Sequence, residues 1–297
     1  HLRKSLQEKE GILPAIIYCL PFTSIIDQNH ATYREVLENA GITISSELLL
    51  KHHHLSDPVY ISSDPEFDVD DSELFTETWW SEIVVTTFYQ LLYGIITPRN
   101  KNLKRFISLK NAIVIMDEVQ AVPHRYWESI RKLFKIIGKK FNTRFILMTA
   151  TQPLLFTGNM ARELLPEHEK YFDQLSRITL VNRSDSDTTL DSFYNFVADE
   201  LERNPEQSRM CILNRRASVQ KLYGSFKKKF PGHNIYALSA NLTPKDRKKR
   251  IEDIKQSLKS GIPCLIVTTQ LVEAGVDLSV DVVDRDMAPL DSIIQSA

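Results

Sequence analysis

Short apolar segments alternate with longer amphipathic segments along almost the whole chain, and this alternation restricts the fold more than any other feature. Residues 112–117 (AIVIMD) form an apolar run without polar alternation, which is typical of a strand covered on both faces. Residues 190–203 (LDSFYNFVADELER) have the apolar spacing of a helix with one buried side. The alternation predicts an α/β fold with parallel sheets.

The same pattern predicts the order of the elements. The predicted strands are residues 15–21, 82–87, 112–117, 144–150, 177–181, 210–214, 235–240, 264–270 and 281–286. The predicted helices between them are residues 23–41, 124–140, 190–203, 218–230 and 244–261. Residues 184–189 (SDSDTT) are polar and have no apolar period, which is typical of a linker. We therefore predict two domains in tandem, residues 1–183 and 184–297.

Size and composition agree with this division. A chain of 297 residues is too long for one ordinary core. Its formal net charge of −1 means that any nucleic-acid binding depends on local patches. Cys19, Cys211 and Cys264 lie far apart in apolar runs without zinc spacing, so we expect core packing in a reducing compartment. No apolar run reaches the length of a membrane span, and we expect a cytoplasmic protein.

Two acids, Asp117 and Glu118, end the apolar run at residues 113–116. In open α/β sheets the ligand crevice lies at the carboxyl ends of the strands. Adjacent carboxylates there repel each other unless a cation shares their charge. One interpretation is therefore a Mg²⁺ site near phosphates, with one acid steering the metal and the other orienting a water. The other is a strand followed by an acidic helix cap, and these two residues alone leave both open.

Small hydroxyl-bearing residues occur at the ends of several predicted strands. The residues at these strand ends are Pro21, Phe22 and Thr23 after the first strand, Thr86, Thr87 and Gln90 after the second, Thr149, Ala150 and Thr151 after the fourth, and Thr268 and Thr269 in the second domain. Hydroxyl groups at neighbouring strand ends form a row of donors that can hold the phosphates of a nucleic-acid backbone without reading bases. One Thr-Thr pair is uninformative because threonine is a good strand former. The joint occurrence predicts a nucleic-acid surface.

Taken in order, these segments resemble the motifs of a superfamily 2 helicase. The motifs are LPFTSIIDQN, VVTTFYQLL, MDEVQ, TAT, CILNRRASVQKLY, ALSANLTPKDR and TTQLVEAGVDLSVDVVDRDMAPLDSIIQ. More narrowly they resemble the type I CRISPR-associated effector helicase, CRISPR-associated protein three. The segment that begins at Thr268 is the most specific, whereas MDEVQ alone is weak, and the family more often has histidine at Gln120. The resemblance implies two tandem RecA-like domains, each with three α/β/α layers.

The resemblance also implies roles for individual residues. Asp117 would hold Mg²⁺ through water, and Glu118 would polarise the water that attacks the γ-phosphate of ATP. Residues implied to sense or contact the nucleotide are Gln120, Thr149, Ala150, Thr151, Glu273, Gly275, Asp277 and Gln295. Residues implied to contact the nucleic acid are Pro21, Phe22, Thr23, Thr86, Thr87, Gln90, Asn214, Ser239, Thr268 and Thr269.

The implied function is an ATP-dependent single-stranded DNA translocase of a type I CRISPR system. Its implied partners are single-stranded DNA, a CRISPR surveillance complex and an HD nuclease, fused or separate, and its implied cofactors are ATP and Mg²⁺. One alternative is an RNA helicase of the same superfamily. The other, for this chain alone, is a non-catalytic nucleic-acid-binding module. ATPase stimulation by oligonucleotides would separate them.

No G-x-x-x-x-G-K-[ST] phosphate-binding loop occurs in the sequence, and the arginines that follow SIIQ in the family are not present. We therefore expect both domains to be incomplete, the first at its N-terminus and the second at its C-terminus, and the chain alone not to hydrolyse ATP at a useful rate. We also expect a strand to be missing beside residues 113–116, which would leave unpaired edges inside the first sheet.

Three further polar segments have simpler explanations. Residues 64–77 carry seven acids and no base, which predicts a solvated acidic loop without the EF-hand spacing. His52, His53 and His54 are adjacent and lack metal-ligand spacing, so we interpret them as a polar loop near nucleic acid. The base cluster at Lys101, Lys104, Arg105 and Lys110 is a second candidate contact with DNA.

Overall fold

A computed structural model of the protein describes most of the chain. The described residues are 1–53, 60, 69–97, 99, 103–149, 160–165, 170, 178–183, 188–239, 241–270, 276 and 278–296. They form two compact units, His1–Arg162 and Glu163–Ala297. The predicted linker at residues 184–189 lies within the second unit, and residues 184–187 are outside the described part. The predicted domain boundary therefore stays a prediction.

The first unit is built on a parallel sheet of five strands in the order β2-β3-β1-β4-β5. The strands are β1 (Ile16–Leu20), β2 (Leu49–His52), β3 (Ile83–Thr87), β4 (Ile113–Met116) and β5 (Arg144–Leu147). The helices are α1 (Leu2–Glu10), α2 (Thr23–Asn39), α3 (Val69–Thr78), α4 (Phe88–Ile96) and α5 (Trp127–Phe141). Short 3₁₀ turns lie at Lys104–Leu109, Val119–Ala121 and His124–Tyr126.

Helices cover both faces of this sheet, because the apolar strands point alternate side chains to opposite sides. Tyr18 and Leu20 of β1 pack on one face with Ile26 of α2. Ile17 and Cys19 pack on the other face, in a cluster that also contains Phe88 and Leu91 of α4 and Ile130 and Phe134 of α5. The result is a three-layer α/β/α unit, as predicted.

The second unit has a parallel sheet of four strands in the order β7-β8-β6-β9. Its strands are β6 (Arg209–Leu213), β7 (Asn234–Leu238), β8 (Cys264–Thr269) and β9 (Val282–Arg285). Its helices are α6 (Leu190–Arg203), α7 (Arg216–Lys229), α8 (Pro244–Lys259) and α9 (Leu290–Ser296). Leu201 of α6 and Phe226 of α7 pack on one face, and Ile254 of α8 packs on the other.

Three expectations about the elements are wrong. The first sheet contains no gap beside β4, because β4 pairs with β1 and with β5, so the predicted position of a missing strand is incorrect. Residues 178–181 of the predicted fifth strand are not in a strand, whereas Leu49–His52 form one that the sequence did not indicate. Part of the predicted acidic loop is helix α3, while residues 64–68 are outside the described part.

The three cysteines are buried and free, as their apolar surroundings predicted. Among the helices that the structure describes, none combines the length and the apolar character that crossing a bilayer requires.

Candidate functional site

The turn that follows β4 holds Asp117 and Glu118 at the carboxyl end of the central strands. The Asp117 amide donates to the Cys19 carbonyl of β1 at 3.0 Å, and the Val119 amide donates to the Met148 carbonyl just after β5 at 3.1 Å. Between these two anchors, Glu118 adopts a left-handed conformation, with φ 57° and ψ 42°. Such a conformation costs a non-glycine residue about 1–3 kcal/mol, and residues of this kind cluster at active sites and switch regions.

The carboxylates of both acids have defined hydrogen-bond partners. Asp117 Oδ1 accepts from the Glu118 amide at 2.9 Å, and Asp117 Oδ2 accepts from the Tyr18 hydroxyl at 2.6 Å. Glu118 Oε2 accepts from the side-chain amide of Gln120. Gln120 Oε1 in turn accepts from Thr149 Oγ1 at 2.6 Å. All four predicted residues therefore lie in one half-buried polar group at the strand ends.

Tyr18 belongs to this group, although the sequence analysis did not select it. Burial, followed by the hydrogen bond to Asp117, raises the pKa of Tyr18 far above its ordinary value, so the phenol stays protonated and can only donate to the carboxylate. A sequence signal was available, since Tyr18 is the one hydroxyl-bearing residue in the run AIIYCL, residues 15–20.

The segment after β1 is partly exposed to solvent. Phe22 is 45% exposed, and Pro21 and Thr23 are half-buried. Phe22 is also the N-cap of α2 and has no polar side chain to satisfy the first helical amides. The N-terminus of α2 is therefore suited to an anion such as a phosphate group.

The residues after β3 are placed differently from the prediction. Thr86 is fully buried and its hydroxyl donates to the His52 carbonyl at 2.7 Å, so it offers no donor to a surface ligand. Thr87 is 6% exposed and its hydroxyl caps α4 by accepting from the Gln90 amide at 3.1 Å. The Gln90 side chain accepts from Arg105. The hydroxyls of Thr86 and Thr87 therefore make internal hydrogen bonds that stabilise the first unit.

Of the predicted residues in the second unit, Asn214 is exposed after β6. Its side-chain amide donates to the Met287 carbonyl at 2.7 Å, and its backbone amide donates to Asp286 at 3.1 Å. Asp286 and Met287 follow β9, so Asn214 ties the ends of β6 and β9 together.

The other predicted residues of this unit vary in their exposure. Ser239 and Thr268 are buried. Because the Thr268 hydroxyl donates to the Thr269 carbonyl at 3.0 Å, the structure does not support a direct contact between Thr268 and nucleic acid. Thr269 is half-buried, and Gln295 is exposed on α9. Five predicted site residues lie outside the described part of the chain: Ala150, Thr151, Glu273, Gly275 and Asp277.

Several residues of the predicted histidine loop and of the predicted basic cluster make contacts inside the protein. His52 and His53 are buried, and His52 Nδ1 accepts from the Trp79 indole at 3.1 Å, so they are not a solvated loop. His54 and Lys101 are outside the described residues. Arg105 is only 3% exposed and forms an ion pair with Glu77, which removes it from the predicted DNA-binding cluster, whereas Lys104 and Lys110 are exposed.

No group of three or more histidine, cysteine, aspartate or glutamate side chains within the described ranges is placed to hold a metal ion. A magnesium ion bound next to phosphates does not need such a group, because one or two carboxylates with water and phosphate oxygens complete its shell.

The two units, each with a parallel sheet between helical layers, match the RecA-like fold of solved helicases. The crystal structure of T. fusca Cas3-ADP matches the whole chain with a TM-score of 0.71 at 19% identity, over 39% of that protein's chain. The helicase MrfA bound to DNA matches 99% of the chain with a TM-score of 0.58 at 18% identity, over 41% of its own chain. At these identities the likeness concerns the fold alone.

Comparisons of the sequence give a similar resemblance. Residues 205–297 match the family model described as CRISPR-associated nuclease/helicase Cas3, C-terminal. The CRISPR-associated nuclease/helicase Cas3 of Haloferax volcanii is 27% identical over 99% of the chain and 41% of that relative. The chain thus spans about two fifths of this relative's length. The comparisons confirm the predicted resemblance to a Cas3-like helicase of superfamily 2.

Proposed function

We propose that this chain supplies the helicase part of an ATP-dependent single-stranded DNA translocase in a type I CRISPR interference system. The observation that carries the proposal is the polar group at the end of β4, in which Gln120 links Glu118 to Thr149. The similarity to Cas3 nuclease/helicases supports the CRISPR assignment, and a surveillance complex and an HD nuclease are the proposed partners.

Asp117 and Glu118 fit a magnesium ion, because carboxylate oxygens are the donors that Mg²⁺ prefers. Both Asp117 oxygens accept one hydrogen bond and keep lone pairs for water or metal. When bound, Mg²⁺ would neutralise charge on the phosphates of ATP.

In the proposed reaction Glu118 orients the attacking water and accepts its proton, which positioned carboxylates do in general base catalysis. Gln120 holds the Glu118 carboxylate in place and connects it to Thr149 after β5. These two hydrogen bonds link the segment after β5 to the proposed base.

The nucleic-acid strand is proposed to contact Pro21, Phe22 and Thr23 at the N-terminus of α2. Thr87 and Gln90 would then contribute indirectly, because their hydrogen bond stabilises the first turn of α4. In the second unit, Asn214 and Thr269 are the proposed backbone contacts, and the buried Ser239 would contribute indirectly through its hydrogen bond from the Asn241 amide. The proposed nucleotide contacts of Glu273, Gly275, Asp277 and Gln295 rest on the resemblance alone.

The test is the ATPase rate of the complete protein with and without thymidine-rich and uridine-rich oligonucleotides. We expect DNA to raise the rate, and Asp117→Asn and Glu118→Gln each to lower kcat by about 10²-fold or more. Glu128→Gln, at an exposed acid paired with Lys132, is the matched control and should leave kcat unchanged.

Other outcomes would overturn the proposal in different ways. A stronger response to the uridine-rich strand would indicate an RNA helicase. Binding that weakens with salt, with a log–log slope of about 0.7 per contacted phosphate, and an ATPase rate that does not respond would indicate a non-catalytic module.

A further inference from the structure

Tyr18 contacts Asp117 from a neighbouring strand and lies 99 positions away from it in the sequence. In the parallel register of β1 and β4, Tyr18 is paired with Ile115, two residues before Asp117. Because side chains alternate along a strand, Tyr18, Ile115 and Asp117 are directed to the same face of the sheet. Tyr18 is 7% exposed there, so its hydroxyl reaches the carboxylate from inside the protein.

The two hydrogen bonds on Asp117 come from different donors and end on different oxygens. The Glu118 amide donates to Oδ1, and the Tyr18 hydroxyl donates to Oδ2. One donor alone would oppose rotation of the carboxylate about its Cβ–Cγ bond with a single hydrogen bond. Two donors on opposite oxygens fix its plane, because rotation would break both bonds.

The Tyr18 ring is itself held in place. Tyr33 of α2 contacts it edge to face, with ring centroids 5.7 Å apart and an interplanar angle of 79°. Tyr18 also packs with Leu20 and Ile26 in the apolar cluster beneath α2. The Tyr18 hydroxyl that donates to Asp117 is therefore held in a fixed position. A residue that orients a metal-binding carboxylate requires such a fixed position.

We propose that Tyr18 is a positioning residue that orients the Asp117 carboxylate for the metal ion of the nucleotide site. This inference rests on the proposed function, since it assumes that Asp117 is a metal ligand. Hydrogen-bond partners behind a metal ligand typically change metal affinity or activity about 10–100-fold when they are removed.

The test measures Mn²⁺ binding to the complete protein by electron paramagnetic resonance in the presence of AMPPNP. Tyr18→Phe keeps the ring and removes only the hydroxyl. We expect it to weaken Mn²⁺ affinity about 10-fold, the lower limit for such partners. Affinity for AMPPNP without metal should stay unchanged. Tyr33→Phe, which removes a hydroxyl from the adjacent ring, is the matched control and should bind Mn²⁺ as the natural protein does.

A double-mutant cycle tests whether Tyr18 affects Mn²⁺ affinity through Asp117. If Tyr18 acts through Asp117, Tyr18→Phe will have no further effect on Mn²⁺ affinity when it is added to Asp117→Asn. An equal loss in both backgrounds would overturn the proposal, and so would a Tyr18→Phe protein that binds Mn²⁺ normally. If instead Asp117→Asn binds Mn²⁺ with full affinity, the assignment of the metal site in the proposed function fails as well.

A variant with an intact hydroxyl provides a second measurement should Tyr18→Phe not fold. With 3-fluorotyrosine incorporated at residue 18, we expect the ¹⁹F resonance to shift when Mg²⁺ and AMPPNP are added together, and not with AMPPNP alone. A resonance that does not respond to the metal would overturn the proposal.

Discussion

Thr149 Oγ1 donates a 2.6 Å hydrogen bond to Gln120 Oε1, and Gln120 donates through its amide nitrogen to Glu118. The orientation of the glutamine amide is therefore defined at both ends. The segment after β5 is linked in this way to the acid that we propose as the general base.

Removing the Thr149 hydroxyl should separate ATP hydrolysis from strand movement. Thr149→Val keeps the side-chain shape but leaves Gln120 Oε1 without this donor. We expect basal ATPase within several-fold of the natural protein and far fewer base pairs unwound per ATP, measured by a coupled phosphate-release and strand-separation assay. Thr32→Val, at an exposed threonine of α2, is the control and should change neither rate. Parallel loss of both activities would contradict a coupling role.

The left-handed conformation of Glu118 should make glycine unusually well tolerated for folding. We expect Glu118→Gly to change the free energy of unfolding by less than about 1 kcal/mol, because relief of backbone strain offsets the lost side-chain contact and the flexibility of glycine. ATPase activity should disappear. Glu128→Gly, in the first turn of α5, should cost about 1 kcal/mol, as glycine does in helices. Urea denaturation compares the two variants, and a larger loss at Glu118 would show that the conformation is not strained.

Arg105 should matter for stability more than for nucleic-acid affinity. Arg105→Ala removes the ion pair between the buried guanidinium and the Glu77 carboxylate, which is 13% exposed. We expect a loss of about 3–5 kcal/mol in the free energy of unfolding, as for other broken buried pairs. Lys132→Ala breaks an exposed pair with Glu128 and should cost less than about 0.5 kcal/mol. If Arg105→Ala folds normally and loses DNA affinity, the original assignment to a DNA-binding cluster was correct.

His30 should make the protein less stable in mild acid. Burial, with smaller effects from Lys51 and Arg34, lowers the pKa of His30 below its ordinary value of 6.5, and Asp27 opposes this only in part. The unfolded chain therefore binds this proton more readily than the folded protein does. Stability contributed by neutral His30 is present above pH 6.5 and is lost as the pH falls through the lowered pKa.

The measurement is the slope of the free energy of unfolding against pH below 6.5. His30→Gln should flatten this slope, whereas the same substitution at exposed His124 should leave it as it is. Equal slopes for the natural protein and His30→Gln would contradict the prediction.

Local patterns predicted most elements because burial and periodicity leave a direct signal in the sequence. Helix α6 was predicted with the bounds that the structure has, Leu190–Arg203, since its apolar spacing and its capping residue Thr189 agree. Strand β2 was missed because Leu49–His52 has only four residues and ends in histidine, a polar residue. It is a strand because it pairs with β3, a partner that no local pattern reveals.

By itself, the sequence determined the α/β class, the order of strands and helices, and the acids after β4, because each depends on neighbouring residues or on one recognisable motif. Only the tertiary structure decided which polar groups act together. It buried Thr86 and Arg105 as internal partners and brought Tyr18 to Asp117 across 99 positions. A hydrogen bond between distant segments depends on sheet register and helix packing, and these are properties of the whole unit.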